Sequence, residues 1–288
     1  MLQKYSTPMQ RKQRFSALSV GRVQAGFTLV ELMVAILIGL LVVGVALAGL
    51  MASRGVSGTV SDATQLQQQA SYAFRVLGQQ VRQAGSMELN LDTEKASGST
   101  APLSAGAKVG FELGYTQWDQ IINGIDAPNS TQFALTVGYQ NYGEQQADGT
   151  TASLLRDCLG QGGTPTGGSY PRIINRFAVR DGVLVCNGAT GNTQPIIRNV
   201  NDFRVQYYVQ SDAVGGAPKL KKVNAAGVTQ WAEVVAVEVC LDLVGDRAVD
   251  LPATSTYRNC AGADVSYGGR IHQVFRNIFQ LRSQGVLG

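Results

Sequence analysis

The chain has 288 residues, of which 44% are hydrophobic and 15% charged, a composition compatible with folding around a sizeable core. Its formal charge is +4, but five cations and no acids precede Gly26, so the rest of the chain carries a formal charge of −1. Net charge alone therefore gives no reason to expect a nucleic acid partner for this part of the chain.

The first predicted element is an apolar helix behind a basic leader. Twenty consecutive uncharged residues run from Leu32 to Met51. A helix of that length spans about 30 Å, the hydrocarbon thickness of a bilayer. The leader cations favour a cytoplasmic N-terminus, so we expect the remainder of the chain to be exported across the inner membrane.

Three kinds of signal fit this region. A cleaved secretory signal would use Ala46-Leu47-Ala48 as its small-residue cleavage site, and an uncleaved signal anchor would keep the whole helix. Glu31 argues against both, because a carboxylate at the cytoplasmic end of an apolar run is costly unless it has a partner. The third kind of signal gives Glu31 a role.

The junction Gly26-Phe27-Thr28-Leu29-Val30-Glu31 resembles the class III signal of type IV pilins and type II secretion pseudopilins. The resemblance implies that a membrane prepilin peptidase cuts between Gly26 and Phe27 and methylates the new amine of Phe27. It also implies an assembly contact in which the Glu31 carboxylate pairs with the N-terminal amine of an adjacent subunit.

Beyond the membrane segment the pattern predicts an amphipathic continuation of the helix. Apolar residues recur at spacings of three or four, and they are Val60, Ala63, Leu66, Ala70, Phe74, Leu77, Val81 and Ala84. We expect this stripe to pack on the C-terminal domain.

The C-terminal domain is predicted to be rich in antiparallel strands. Alternating apolar residues indicate strands near residues 133–139, 200–210, 231–243 and 270–281. Asp181-Gly182 predicts a type I′ hairpin between strands at 172–179 and 183–187. Lys219, Lys221 and Lys222 are predicted to form the solvated tip of a turn.

Four cysteines, Cys158, Cys186, Cys240 and Cys260, lie in the C-terminal half without a CxxC pair. In an exported chain they indicate two disulfides, and sequential pairing is the simplest of the three possible connectivities.

No catalytic, metal-binding or cofactor-binding set emerges from the sequence. The glycine-rich stretch 160–168 lacks the Lys-Ser or Lys-Thr of a phosphate-binding loop, and His272 has no matching nucleophile motif. The sequence therefore predicts a protein that is not an enzyme and acts by binding.

Several C-terminal segments extend the resemblance to the PilW family of minor type IV pilins. They are Arg156-Asp157-Cys158-Leu159-Gly160, Gly182-Val183-Leu184-Val185-Cys186, the run from Asp202 to Tyr208, the strand from Trp231 to Leu243, and Phe275-Arg276-Asn277-Ile278. The resemblance implies an α+β fold in which a long N-terminal helix packs on an antiparallel β-sheet domain. The expected divisions are a leader (1–26), a membrane helix (27–51), an amphipathic helix (52–84) and a β-rich domain (85–288).

A PilW-like protein is expected to prime pilus assembly in a complex near the pilus tip. Its implied partners are prepilin peptidase, other minor pilins, the major pilin and a large adhesin-like tip protein, and its implied location changes from the inner membrane to the pilus tip. The alternatives are a J-type minor pseudopilin of type II secretion, or a DNA-capturing or adhesive tip module. The lysines at 219–222 are the feature that a DNA-capturing role would use.

Overall fold

The computed structural model describes residues 26–86, 89–90, 110–111, 118–162, 172–211 and 219–281. The leader and most of the glycine-rich stretch 160–168 lie outside these residues. By its internal contacts the chain divides into two units, Met1–Arg54 and Gly55–Gly288. We call them the first and second units.

One α-helix, α1 (Leu29–Gln83), contains both of the predicted helical segments. By length and composition it is the one helix of the described chain that could cross a membrane. Its apolar side chains in the first unit are exposed to the surroundings.

The second unit contains short strands and single-turn 3₁₀ helices in addition to the end of α1. The 3₁₀ turns are Trp118–Gln120, Ala225–Gly227 and Trp231–Glu233. The strands are β1 (Leu89–Asn90), β2 (Gly110–Phe111), β3 (Ile122–Gly124), β4 (Leu135–Gln140), β5 (Glu144–Gln145), β6 (Thr151–Ala152), β7 (Arg172–Arg180), β8 (Val183–Asn187), β9 (Thr193–Ile197), β10 (Val200–Ser211), β11 (Lys219–Val223), β12 (Val234–Ala248), β13 (Thr256–Arg258), β14 (Asp264–Ser266) and β15 (Arg270–Gln280).

Two antiparallel sheets form the body of the second unit. One has the order β3-β4-β7-β8-β9 and the other the order β11-β10-β12-β15. The pairs β1-β2, β5-β6 and β13-β14 are separate two-stranded ribbons. The predicted antiparallel α+β architecture is therefore confirmed.

The hairpin predicted at Asp181-Gly182 joins β7 to β8. Both turn residues have positive φ, 49° at Asp181 and 73° at Gly182, as a type I′ turn requires. This turn sets the register in which Phe177 pairs with Cys186.

One turn prediction and one strand prediction need correction. Lys219, Lys221 and Lys222 do not form a turn but lie in β11, which pairs with the last five residues of β10. Trp231 begins a 3₁₀ turn rather than a strand, and its ring meets the ring of Tyr207 edge-on at 5.0 Å. The strand starts at Val234 and continues beyond the predicted end to Ala248.

The apolar stripe of α1 packs in the core of the second unit, as predicted. Five residues of the stripe are buried, namely Leu66, Ala70, Leu77, Val81 and Ala84, and Ala73 is buried beside them. They belong to one hydrophobic cluster with residues of both sheets. The stripe begins later than expected, because Val60 is exposed.

A buried amide fixes the position of α1 on the five-stranded sheet. The Gln80 side chain accepts a hydrogen bond from Asn175 Nδ2 at 3.0 Å and donates one to the carbonyl of Arg156 at 3.3 Å. The Tyr139 hydroxyl lies 2.9 Å from Gln80 Oε1 and 2.6 Å from the same carbonyl. Burial raises the pKa of Tyr139, so its hydroxyl stays protonated and remains a hydrogen-bond donor across the physiological pH range.

Both sequential disulfides are present. Cys158–Cys186 joins the segment before β7 to β8, and Cys240–Cys260 joins β12 to the segment between β13 and β14. The Cα atoms are 6.4 and 5.7 Å apart respectively. Each bond fixes an irregular segment to a sheet.

We predict that Gln80→Ala destabilises the folded protein by about 2 to 3 kcal/mol, because it removes the buried acceptor of Asn175 Nδ2 and one of the two donors to the Arg156 carbonyl. The matched control is Gln79→Ala on the exposed face of α1, with an expected change within about 0.5 kcal/mol. Urea unfolding of the mature chain in detergent measures both. Equal losses for the two variants would contradict the role assigned to Gln80.

Candidate functional site

The helix start is stabilised by the residue before it. Thr28 precedes α1, and its hydroxyl accepts a hydrogen bond from the amide of Glu31 at 3.2 Å. The Thr28 carbonyl accepts the first helical hydrogen bond, from Leu32 at 3.2 Å. Thr28 is thus the N-cap of the helix, and Glu31 occupies the third helical position.

The sequence interpretation missed the role of Thr28. The spacing Thr-x-x-Glu ahead of an apolar run is the pattern of a capping box, and it was sufficient to identify the cap. Capping and the helix dipole favour an acidic residue in this turn by about 0.3 to 1 kcal/mol. The exposed Glu31 carboxylate therefore has a reason to occupy this turn besides pairing with another subunit.

The apolar face of the first unit has no protein partner within the described residues. Side chains from Phe27 to Met51 are between 49% and 85% exposed wherever they are large and hydrophobic. Such a surface is unstable in water and needs lipid or other helices around it.

The lysines of β11 differ in their surroundings. Lys222 Nζ lies 2.7 Å from both carboxylate oxygens of Glu238, and the Tyr208 hydroxyl donates to the same carboxylate at 2.9 Å. Arg276 Nη1 is 3.9 Å from it. Lys222 therefore belongs to a cluster on the outer face of the four-stranded sheet, not to a row of free cations. This weakens the case for a DNA-binding lysine turn.

Glu238 is held ionised by this cluster. Burial alone would raise the pKa of its carboxyl group. The hydrogen bonds from Lys222 and Tyr208, together with the charges of Lys222 and Arg276, outweigh burial and lower the pKa below its usual range.

His272 belongs to a structural cluster. Asp242 is fully buried, and its carboxylate accepts hydrogen bonds from Asn201 at 2.7 Å and Tyr257 at 2.8 Å, while His272 Nδ1 lies 3.1 Å away. The rings of Tyr257 and His272 stack at 4.5 Å. Since Tyr257 lies in β13, the cluster holds the β13-β14 ribbon near the disulfide Cys240–Cys260.

Asp157, which directly precedes Cys158 in the sequence, has a structural role. Its buried carboxylate accepts from the amides of Leu159 at 2.9 Å, Gln161 at 2.7 Å and Ala189 at 2.9 Å. It shapes the segment that supplies the Arg156 carbonyl to Gln80. Across the described ranges, no group of three or more His, Cys, Asp or Glu side chains could hold a metal ion.

Comparison with known proteins identifies both parts of the chain. The family model for the prokaryotic N-terminal methylation motif matches residues 21–47, and the model for the type IV pilus-assembly protein W matches residues 166–283. The two matches support a PilW-like minor type IV pilin. The second match includes β7 to β15 and three of the four disulfide-bonded cysteines, Cys186, Cys240 and Cys260.

A solved structure is similar to this minor pilin. It is the Type IV-like pilin TTHA1219 from Thermus thermophilus, with 13% sequence identity and a TM-score of 0.37. The likeness covers 76% of the present chain and 98% of the other. No curated protein sequence matches significantly.

The two family matches bear on the coarse function. They fit a structural subunit that interacts with other pilins and whose methylation motif is recognised by a prepilin peptidase. The motif and the apolar helix fit anchoring in a membrane. The described geometry places Thr28, Glu31 and the exposed apolar helix face together in the first unit, and the disulfides and the Glu238 and Asp242 clusters in the second.

The depressed pKa of Glu238 predicts a pH-dependent contribution to stability. A carboxyl group with a lowered pKa in the folded state stabilises fully above its unfolded pKa of about 4.3, and the contribution is lost as pH falls through the folded value. We expect Lys222→Met to cost about 1 to 2 kcal/mol at pH 7, since Lys222 is partly exposed. The difference from the unmodified protein should shrink below about pH 4.3.

Urea unfolding of the mature chain in detergent at pH 7, 5 and 3 measures this difference. Lys221→Met, which changes an exposed lysine beside Lys222, is the control and should change stability by less than about 0.5 kcal/mol at each pH. A Lys222→Met effect that stays constant from pH 7 to pH 3 would contradict the assignment.

Proposed function

We propose that this minor pilin primes type IV pilus assembly and lies in a complex near the pilus tip. The observation that carries the proposal is the combination, in one chain, of the methylation motif and a domain whose family is described as a pilus-assembly protein. The protein acts by subunit contacts, with helix against helix in the membrane and domain against domain outside it.

Processing would convert the helix start into an assembly contact. Cleavage between Gly26 and Phe27 gives a positively charged amine on Phe27, four residues before Glu31. In a bilayer, an unpaired amine and an unpaired carboxylate are both costly, so a contact between neighbouring subunits that pairs them is favoured. The exposed Glu31 side chain and the capped first turn support this proposal.

The first test is the N-terminus of the mature protein. We expect mass spectrometry of the protein from its own cells to find N-methylated Phe27 as the first residue. A mature protein that begins at Gly49 would contradict the proposal, because it would be a soluble secreted domain without the assembly helix.

The second test separates the charge of Glu31 from its place in the helix cap. Glu31→Gln keeps the shape of the side chain and one acceptor oxygen but removes the negative charge. We expect unchanged cleavage and export, and crosslinking to neighbouring pilins reduced by about tenfold or more, because an unpaired amine would remain in the membrane.

Thr28→Val is the control for Glu31→Gln. It removes the cap and weakens the helix start by about 1 kcal/mol, but it keeps the carboxylate. We expect a smaller loss of crosslinking than with Glu31→Gln. Equal losses would assign Glu31 to helix capping alone.

The third test concerns priming. Deletion of this chain should sharply reduce surface pili, measured by shearing and quantification of the major pilin, and the unmodified chain should restore them. A normal number of pili in the deletion strain would contradict the priming role.

A further inference from the structure

The two main sheets differ in how their outer strands are protected against pairing with another chain. The strand β3 has only three residues, β9 contains Pro195, which lacks an amide hydrogen, and β11 carries Lys219, Lys221 and Lys222. Short length, proline and lysine are the usual means by which sheet edges avoid unwanted pairing. Three of the four outer strands are therefore protected.

The fourth outer strand, β15, lacks these protections. It has eleven residues without proline, lysine or an acidic residue, and within the described residues it pairs only with β12. Its two arginines are engaged with the chain itself. Arg276 donates to the carbonyl of Asn259 at 2.8 Å, and Arg270 donates to the carbonyl of Asp246 at 3.1 Å.

The register shows which backbone groups of β15 face its open side. The amide of Leu281 donates to the carbonyl of Val235, directly opposite it, so the odd-numbered residues of β15 direct their backbone groups toward β12. The even-numbered residues direct their backbone groups away from β12, and they include Val274, Arg276, Ile278 and Gln280. The Ile278 amide donates to the side chain of the neighbouring Asn277 at 2.9 Å, which takes the place of a partner carbonyl.

A groove of about 610 Å³ lies beside this edge, between β15 and α1. Its apolar part is formed by Phe74 and Phe279, whose ring centroids are 6.1 Å apart. Gly78 permits this packing, because a Cβ atom there would lie 2.6 Å from the Phe279 ring. A strand added next to β15 would direct alternate side chains into this groove.

The charges at the groove indicate the chemistry of its occupant. Arg75 and Arg82, both exposed, contribute to its lining, and no acidic residue does. An incoming strand with acidic side chains would neutralise these cations. A second copy of β15 would instead bring arginines toward arginines, since this strand contains no acid.

We infer that the open edge of β15 and the groove beside it bind an extended segment of a partner protein in which every second residue faces the groove and the groove-facing residues include both apolar and acidic side chains. The segment would continue the four-stranded sheet by backbone hydrogen bonds, with apolar side chains against Phe74 and Phe279 and acidic ones near Arg75 and Arg82. This goes beyond the proposed priming role, because it concerns the second unit and names the form of the partner.

Photocrosslinking in cells that assemble the pilus tests the inference. A photoreactive amino acid is placed singly at Val274, Ile278 and Gln280 of the full chain, and the crosslinked residues are mapped by mass spectrometry. Added-strand pairing predicts that the three probes reach one partner segment, at positions that shift by about four and two residues along it. Among the residues of the crosslinked segment that face the groove, which are every second residue, both apolar and acidic residues should occur.

Matched variants separate this surface from nonspecific contact. A probe at the exposed Leu220 of β11 is the positional control and should give no stepped pattern. Arg75→Glu with Arg82→Glu should reduce the crosslinks by about tenfold, whereas Arg198→Glu, at an exposed position beside β9, should not. Unchanged thermal unfolding of the variants would establish that they remain folded.

Four results would overturn the inference: no crosslinks from β15, crosslinks scattered over unrelated segments, crosslinks to another copy of this chain, or insensitivity to the paired arginine reversal. The crosslink map is obtained independently of pilus number. The inference about β15 can therefore fail while the priming role holds, and the priming role can fail while the inference holds.

Discussion

The second unit depends on one buried amide at the place where helix and sheet meet. Gln80 lies on the buried face of α1, yet its side chain has partners on β7 and on the segment that contains Arg156. That segment is fixed in turn by the Asp157 carboxylate and by the disulfide of Cys158. Because an unpaired buried amide is costly, the docked helix is most stable when all of these parts are in place.

The sequence predicted most of the architecture because local patterns decide it. Apolar residues at helical spacing identified the buried stripe of α1, and Asp181-Gly182 identified a turn that needs positive φ at both positions. The cysteine count and their spacing allowed the observed pairing without selecting it. These features depend on neighbours that are close in sequence, and periodicity detects such neighbours well.

The failures have a different physical origin. Lys219, Lys221 and Lys222 were predicted to lie in a solvated turn because glycine and proline flank them, whereas Lys222 in the structure pairs with Glu238 on a neighbouring strand. Likewise Gln80, Asp157 and Asp242 owe their roles to partners up to 95 residues away. No local pattern marks such residues. Thr28 was the exception, since its capping pattern is local and was overlooked.

The lysines of β11 have a structural role that the sequence alone does not show. The four-stranded sheet is asymmetric, because one edge carries lysines and the other has no pairing partner among the residues that the structure describes, so extension by another chain is favoured on one side only. For a subunit that starts an assembly, such asymmetry would limit growth of the sheet to a single partner. Lys222 also neutralises Glu238, so the same strand that protects one edge stabilises the outer face of the sheet. Protection of β11 and the openness of β15 are then two parts of one arrangement.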